Sequence, residues 1–578
     1  MAFRTDQIFP YSLILTIFVA TCSLELIPRN EGTEASACQA PENFPRDLEL
    51  YKGEFHNWAE DLIVKGLWNA VPRTPTEVLK LVNWAYQHNY TIRPSGYMHT
   101  WAPTTVVKNT TECQHERVIV MKTNESLTQM KMTRNYPFPT VWAQSGANMG
   151  NIMSFLEENG YGFNASPAPG PITLGGVVAI AGHGTGIPAV GEIPTPGKSF
   201  GSISNLVVDF TAVVWDPKEE AYVLKTFQRS DPEAKAFLTS MGRVFILDMT
   251  LRVMSNYNLR CESRIDIPAT ELFADPKTVK PETRTISKII DSSGRMETIL
   301  FPFTARPWLK IWTVSPIRPF FSRATRQPYN YPFSDNIPQP VAAMASNISN
   351  GAWELTPAFG ELEYDMVVSG LATSFSSDLW GPSKNLLLYI QATTLRLTEN
   401  GAAILTSRKN IQRVIHESFA FFTKLVQEYQ AKSKFPINGP LEIRVSGIDN
   451  PGDVGIPGAE APAISPLYPV NANIFFSEYD VCIWFNILTF PSTPHAIEFL
   501  QRMETFFYET YNGDYALIRP EWSKGWAYKN NTSWSNDEML QETIPKSLPH
   551  WNYSVATYDK YDPHRVFSNE FLDILFSA

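Results

Sequence analysis

The sequence predicts an α+β protein of two domains. Three observations carry this. At 578 residues the chain exceeds what one ordinary core encloses. Helix, strand and glycine-turn signals alternate through its first 256 residues, as in mixed domains. Beyond about residue 257 the character changes, and Ile299 to Pro319 is rich in aromatics and proline.

The elements follow in chain order. Residues 1–23 read as an export signal, with Arg4 before an apolar run from Tyr11 to Ala20 and small residues at Ala20, Thr21, Cys22 and Ser23. The run is shorter than the roughly 20 residues of a membrane helix, and no other stretch is apolar for long enough to span a bilayer. Cleavage is expected near Cys22, with an uncleaved anchor as the alternative. Thr74-Pro75-Thr76-Glu77 is a capping box with proline at the first helical position, and Val78, Leu81, Val82 and Ala85 share the helical face that follows. Thr91-Ile92-Arg93 and Arg117 to Lys122 are strands. Pro167 to Pro188 joins two glycine clusters through a small apolar helix, and Ser202 to Asp216 and Val244 to Val253 are strands. These parts make one domain over 45–256. A second domain over 257–510 has a polar, irregular link at 322–350, helices near 409–430 and 494–511, and strands at Leu441-Arg444 and Cys482-Leu488. Residues 511–578 are expected to return to the first domain.

Composition narrows the function class. Acidic residues outnumber basic ones, 58 to 48, for a net charge of -10. That sign opposes nucleic-acid binding, in which phosphate attraction dominates. Asn-x-Ser/Thr sites at Asn89, Asn109, Asn124, Asn164, Asn347, Asn530, Asn531 and Asn552 suit an exported glycoprotein, Asn164 being weakened by Pro167 nearby. Cys38, Cys113, Cys261 and Cys482 would survive cleavage. Their spacing matches no zinc site, and in an exported chain it points to disulfides or buried thiols.

Two small-residue loops carry the chemistry of the first domain. Gly96-Tyr97-Met98-His99-Thr100-Trp101 follows a strand, and Gly175-Gly176 opens the helix that Ala181-Gly182-His183-Gly184-Thr185-Gly186 closes. Glycines let backbone N–H groups approach an anion, and a pyrophosphate is the natural guest. The bland alternative is tight turns between packed elements. Gly197-Lys198-Ser199 is no P-loop, because Glu192 stands where the upstream glycine belongs. The dinucleotide G-x-G-x-x-G is absent too.

The runs PSGYMHTWAP, PITLGGVVAIAGHGTG, GSISNLV and GRVFILDMTLRV resemble the flavin domain of the vanillyl-alcohol oxidase superfamily. With FPFTARPWLKIWTVSP, LEIRVSGID and RPEWSKGWAY, the chain resembles type II cholesterol oxidases, those with covalently attached flavin, over nearly everything after residue 45. The resemblance implies a PCMH-type FAD-binding domain and an α+β substrate-binding domain of the cholesterol oxidase type. It implies FAD linked through His99 and cradled by Gly96, Gly175, Gly176, Gly182, His183, Gly184 and Thr185, with Ser202 and Ile246 as further contacts. Glu442 and Arg444, two apart on a strand, project from one face. There Arg444 could hold an alkoxide and Glu442 take the hydroxyl proton; in the family this pair is also tied to an oxygen route. Lys524 matches a lysine beside the flavin, Asn486 an amide that hydrogen-bonds the substrate hydroxyl, and Glu297 a second carboxylate. Tyr561-Asp562-Pro563 matches a structural turn.

The expectation is a secreted FAD-dependent oxidase of a secondary alcohol, a 3β-hydroxysterol, with O2 as acceptor. It carries no metal, no nucleic-acid partner and no stable membrane span. Phe301, Phe303, Trp308 and Trp312 would suit a large apolar ligand. A sugar or sugar-lactone oxidase on the same scaffold, or a catalytically silent sterol-binding protein, are the competing readings.

Overall fold

The computed structural model describes residues 40–107, 117–133, 137–193, 195, 197–333, 338–390, 394–470 and 479–577. The unit from Asn43 onward carries everything that follows. The export signal, Cys38, Cys113 and Asn109 lie outside the described residues.

Two sheets build the first domain. In the smaller, strands Glu49–His56, Ile63–Val71, Val118–Lys122 and Thr91–Ser95 lie in that order. The last three run parallel. Val118–Lys122 is buried along its whole length, which is why it reads as an unbroken apolar run. The helix Pro75–Gln87 covers this sheet. Thr74 Oγ1 accepts from the Glu77 N–H at 3.2 Å, and the Glu77 carboxylate reaches back to the Arg73 N–H. Val78, Leu81, Val82 and Ala85 are fully buried beneath it. The second sheet is antiparallel, in the order Met130–Thr133, Thr140–Gln144, Phe245–Arg252, Val207–Asp216, Ala221–Gln228. The end of the chain packs on the first domain: the Ile92 N–H donates to Val566 O, and Asp562 accepts from Arg243 Nη1 at 2.5 Å and from the N–H groups of Val566 and Phe567.

The second domain is organised by a nine-stranded sheet whose middle strands are Trp308–Val314, Arg295–Leu300, Leu441–Gly447, Val481–Thr489 and Thr398–Thr406, antiparallel throughout. Leu441, Ile443, Val445, Ile483, Phe485 and Ile404 join an apolar core with the helices Ile411–Gln430 and Ala496–Thr510. Alternation then sends Glu442, Arg444, Trp484 and Asn486 to the opposite face. The link at 322–350 is not irregular throughout. Gln339–Ser349 is a helix, followed by a longer one, Thr356–Thr373. Proline opens both, and their small or mixed residues hid the period. Among the described residues no helix is long and apolar enough to cross a membrane.

Candidate active site

Two cavities meet where the domains join. The first is lined by the loop from Arg93 to Trp101, by Gly175, Gly176, Gly182 and His183, and by Ile246. The second lies between the large sheet and the two helices of 339–373, with Phe301, Trp308, Phe333, Val341, Met366 and Val367 among its walls. His99, Trp101, Arg444 and Lys524 border both. The seam between the cavities is therefore cationic and aromatic.

The first cavity is built to hold an anion with a flat ring. The N–H groups of Tyr97, Met98, His99 and Thr100 donate to no protein group among the described residues, and Met98 takes a left-handed φ of 56°. Successive free amides around such a residue form an anion-binding concavity. The start of the helix Leu174–Ala179 is not the anion site that its glycines suggested. Its Gly175 N–H donates to Ser145 O and its Gly176 N–H to Thr173 Oγ1. Gly175 serves closeness, since a Cβ there would stand 2.8 Å from Ser145 Cβ. Ser95 and Ser145 present buried hydroxyls without a partner among the described residues, both in this cavity. Such donors left open in a glycine-lined cleft fit the phosphates and ring edge of a dinucleotide.

His99 lies against Trp58 with ring centres 3.9 Å apart and planes tilted by 34°, and edge-on to Trp101 at 6.0 Å. Burial, reinforced by Lys524 and Arg396, pushes its imidazole down to about 3, so it is neutral. His183 lies flat on Trp484 at 3.5 Å and faces Glu521 at 3.6 Å. Gly184, Thr185 and Ser202 are spent on packing outside both linings. A Cβ on Gly184 would meet the Ser166 backbone at 2.7 Å. The Thr185 hydroxyl donates to Met296 O at 2.6 Å, and that of Ser202 to Asp449. Thr185 and Ser202 thus tie the first domain to the second, while Gly184 packs within the first.

On the sheet face, strand register sets the catalytic cluster. Glu297 pairs across from Arg444 and Glu442 across from Asn486. Arg444 Nη2 donates to Glu442 Oε2 at 2.9 Å and to Asn486 Oδ1 at 3.2 Å, with Glu297 at 3.7 Å and Glu399 at 3.8 Å. Burial raises the Glu442 carboxyl to about 7 against the pull of Arg444. Lys524 pairs with Glu399 and lies 3.8 Å over Trp101. Gly401 makes this possible: a Cβ there would stand 2.6 Å from the Lys524 side chain. Asn486 departs from its expected role. It is fully buried, borders neither cavity, and donates to Glu521 Oε2 at 2.7 Å. It braces Arg444 from below, so its amide does not face a substrate hydroxyl.

Four participants escaped the sequence reading. Glu399 is buried under Lys524, and its carboxyl is raised by burial. Burial would raise Glu521 too, but Lys524, His183 and Arg444 outweigh it and hold that carboxyl at about 2. Lys310 pairs with Glu297 at 3.4 Å, and the Tyr389 hydroxyl donates to Glu297 at 2.7 Å. Lys310 was visible: in Trp308-Leu309-Lys310-Ile311-Trp312, alternation puts a lysine on the face of two tryptophans. Of the four aromatics singled out, Phe301 and Trp308 border the second cavity, while Phe303 and Trp312 do not.

A family model described as the cholesterol oxidase substrate-binding domain matches residues 258–577, and one for an FAD-binding domain matches residues 69–194. The chain belongs to the cholesterol oxidase family. A solved solvent-stable cholesterol oxidase is 45% identical over 93% of this chain and 100% of its own, with a TM-score of 0.90. The cholesterol oxidase of Brevibacterium sterolicum is 40% identical over 93% and 99%, with a TM-score of 0.89. Among curated proteins, D-arabinono-1,4-lactone oxidase of Candida glabrata is 23% identical over 225 residues, so this chain spans 39% of that relative's length. As a member of this family the chain is an FAD-dependent alcohol oxidase, and the first cavity is the place its residues fit the cofactor.

Proposed function

We propose that this chain is a secreted oxidase of a 3β-hydroxysterol or similarly large secondary alcohol, with FAD attached covalently through His99. The observation that carries the reading is the seam, where a neutral imidazole, Arg444 and Lys524 stand between a glycine-lined cleft and an apolar cavity. Only a neutral imidazole has the free lone pair that bonding to an electron-poor ring requires. Bound FAD supplies the hydride acceptor and the route of electrons to O2, giving hydrogen peroxide.

The chain's own residues do the rest. Phe301, Trp308, Phe333 and Val367 receive the apolar body of the alcohol, beside the charged face of the sheet. Its hydroxyl reaches the face of Glu442 and Arg444. Arg444, Lys524 and Lys310 supply three positive charges near the four carboxyls of Glu442, Glu297, Glu399 and Glu521. With all four ionised the cluster carries one excess negative charge, so a proton taken by Glu442 restores neutrality. Arg444 stabilises the oxygen from which that proton departs. Export draws support from Asn89, Asn347, Asn530, Asn531 and Asn552, all exposed. Asn164 is excluded as a glycan site, being 1% exposed and bonded to Ser199 O and Arg295.

Two measurements test the reading. Acid precipitation of the purified protein should leave the yellow colour in the pellet, and His99→Ala should release it to the supernatant. Cholesterol should yield peroxide where glucose and γ-lactones do not. Colour retained by the His99→Ala pellet would exclude the link, and peroxide from sugars alone would exclude the substrate class.

A further inference from the structure

On one face of the helix Thr356–Thr373, at i, i+4 spacing, stand Phe359, Glu363, Val367 and Leu371, the apolar three buried and Glu363 partly so. The three apolar members are at most 3% exposed. Glu363 stands among them on the wall of the substrate cavity, with Phe333, Val341, Met366 and Ile390 nearby on the same lining. Its Oε2 is closed to solvent and meets no hydrogen-bond partner among the described residues. No cation acts on it, and burial alone pushes its carboxyl well above the usual range. In its protonated form, which burial favours, it has one O–H donor and acceptor oxygens to offer.

A carboxyl without a partner on an apolar wall is destabilising relative to one that is satisfied. Leucine at the same position would continue the stripe at no such cost. Among the described residues the other polar side chains on this lining include Thr394, His99 at the seam, and Glu297, Lys310, Glu399, Glu442, Arg444 and Lys524 on the sheet and at the seam. None of them answers Glu363. Among the described residues Glu363 therefore stands as a polar point apart from the charged cluster of the sheet, with Phe333, Val341, Met366 and Val367 on the same wall.

We propose that Glu363 is a specificity residue that hydrogen-bonds a second oxygen function of the substrate, so that the enzyme prefers alcohols carrying a further hydroxyl or carbonyl on their apolar skeleton. The inference rests on the substrate reading above and sharpens it. The oxidised hydroxyl lies at Glu442 and Arg444, and the second oxygen at the helix.

The test uses the flavin-loaded enzyme and measures peroxide release. Its substrates are cholesterol and three congeners with one added hydroxyl, on the B ring, the D ring or the side chain. The wild type should favour at least one congener over cholesterol by about tenfold or more in kcat/KM, the equivalent of one good hydrogen bond. Glu363→Leu should abolish that ratio through KM. Glu363→Gln, which keeps a donor and an acceptor, should retain it within about threefold. Glu363→Met, matched in length, replaces the leucine variant should that one fail to fold. Equal ratios in all variants, or an equal loss on all four sterols, would overturn the proposal while leaving the sterol reading in place. If the wild type oxidises none of the four, the sterol reading falls and this proposal with it.

Discussion

A carboxyl beside a guanidinium usually titrates low, yet Glu442 is raised to about 7. Burial outweighs Arg444 because Glu297 and Glu399 share that one cation. A base poised near neutrality is what abstraction of a hydroxyl proton calls for. The base form exists above that value, so kcat/KM should rise with pH through about 7 and level off. Glu442→Gln should lower kcat by about 10²–10³ and remove that limb from the profile. An unchanged profile in the variant would assign the proton to another group. The Glu442 and Arg444 pair was legible in the sequence because two-residue spacing on a strand fixes a shared face. Which way Asn486 points was not: it shares the face of Arg444, but only the packed structure shows Arg444 and Glu521 closing over it. Glu399 and Glu521 were illegible for the same reason, since their chemistry comes from what lies across the sheet.

The glycines that opened the sequence reading divide once packed. Some line the cofactor cleft, and others let two backbones touch. Gly184 is of the second kind, and the atoms a methyl would strike there are Ser166 N and O, which cannot rotate aside. Gly184→Ala should cost roughly 2 kcal/mol or more, seen as a lowered Tm together with poorer flavin loading. A Tm equal to that of the wild type would show that this loop-to-loop contact yields. The opposite case is the loop with Ile317, Phe320 and Phe321, which are 83%, 90% and 88% exposed. Phe320 and Phe321 meet only edge-on, at 5.1 Å between ring centres, and side chains this exposed have little burial to lose. The double variant Phe320→Ser/Phe321→Ser should unfold within about 1 °C of the wild type by calorimetry, and a larger drop would mean that these rings are covered in solution. Strongly periodic helices such as Ile411–Gln430 were readable from sequence. The helix Thr356–Thr373 was not, because Glu363 interrupts its buried stripe and blurs the apolar face.

Across the whole molecule, burial has pushed several carboxyls in one direction. Asp453 and Glu504 both stand at about 7, raised first by burial; hydrogen bonds from Ser199 to the former and from the Ala527 and Tyr528 N–H groups to the latter offset only part of it. Asp449 and Asp562 shift the same way, again from burial. A folded pKa above the unfolded one means that the native state holds a proton the unfolded chain has released. Their stabilisation is complete below the unfolded value near 4 and is lost as pH climbs through 7. Each of Asp453 and Glu504 is worth on the order of 3 kcal/mol across that span. Glu521, held at about 2, has the contrary sign: it stabilises above the ordinary carboxylate range and is lost in strong acid. The raised carboxyls therefore favour folding in mild acid, opposed below about pH 6.5 by His99, whose imidazole burial keeps neutral while the unfolded chain protonates it. Tm measured from pH 5 to pH 8 should fall steadily. Glu504→Gln, which keeps an acceptor for one of the two N–H groups and turns its amide NH2 toward the other, should flatten the slope by about one proton's worth even where it lowers Tm at every pH. A Tm that rises with pH over this interval, or a slope untouched by the substitution, would show that these carboxyls are ionised in the folded chain.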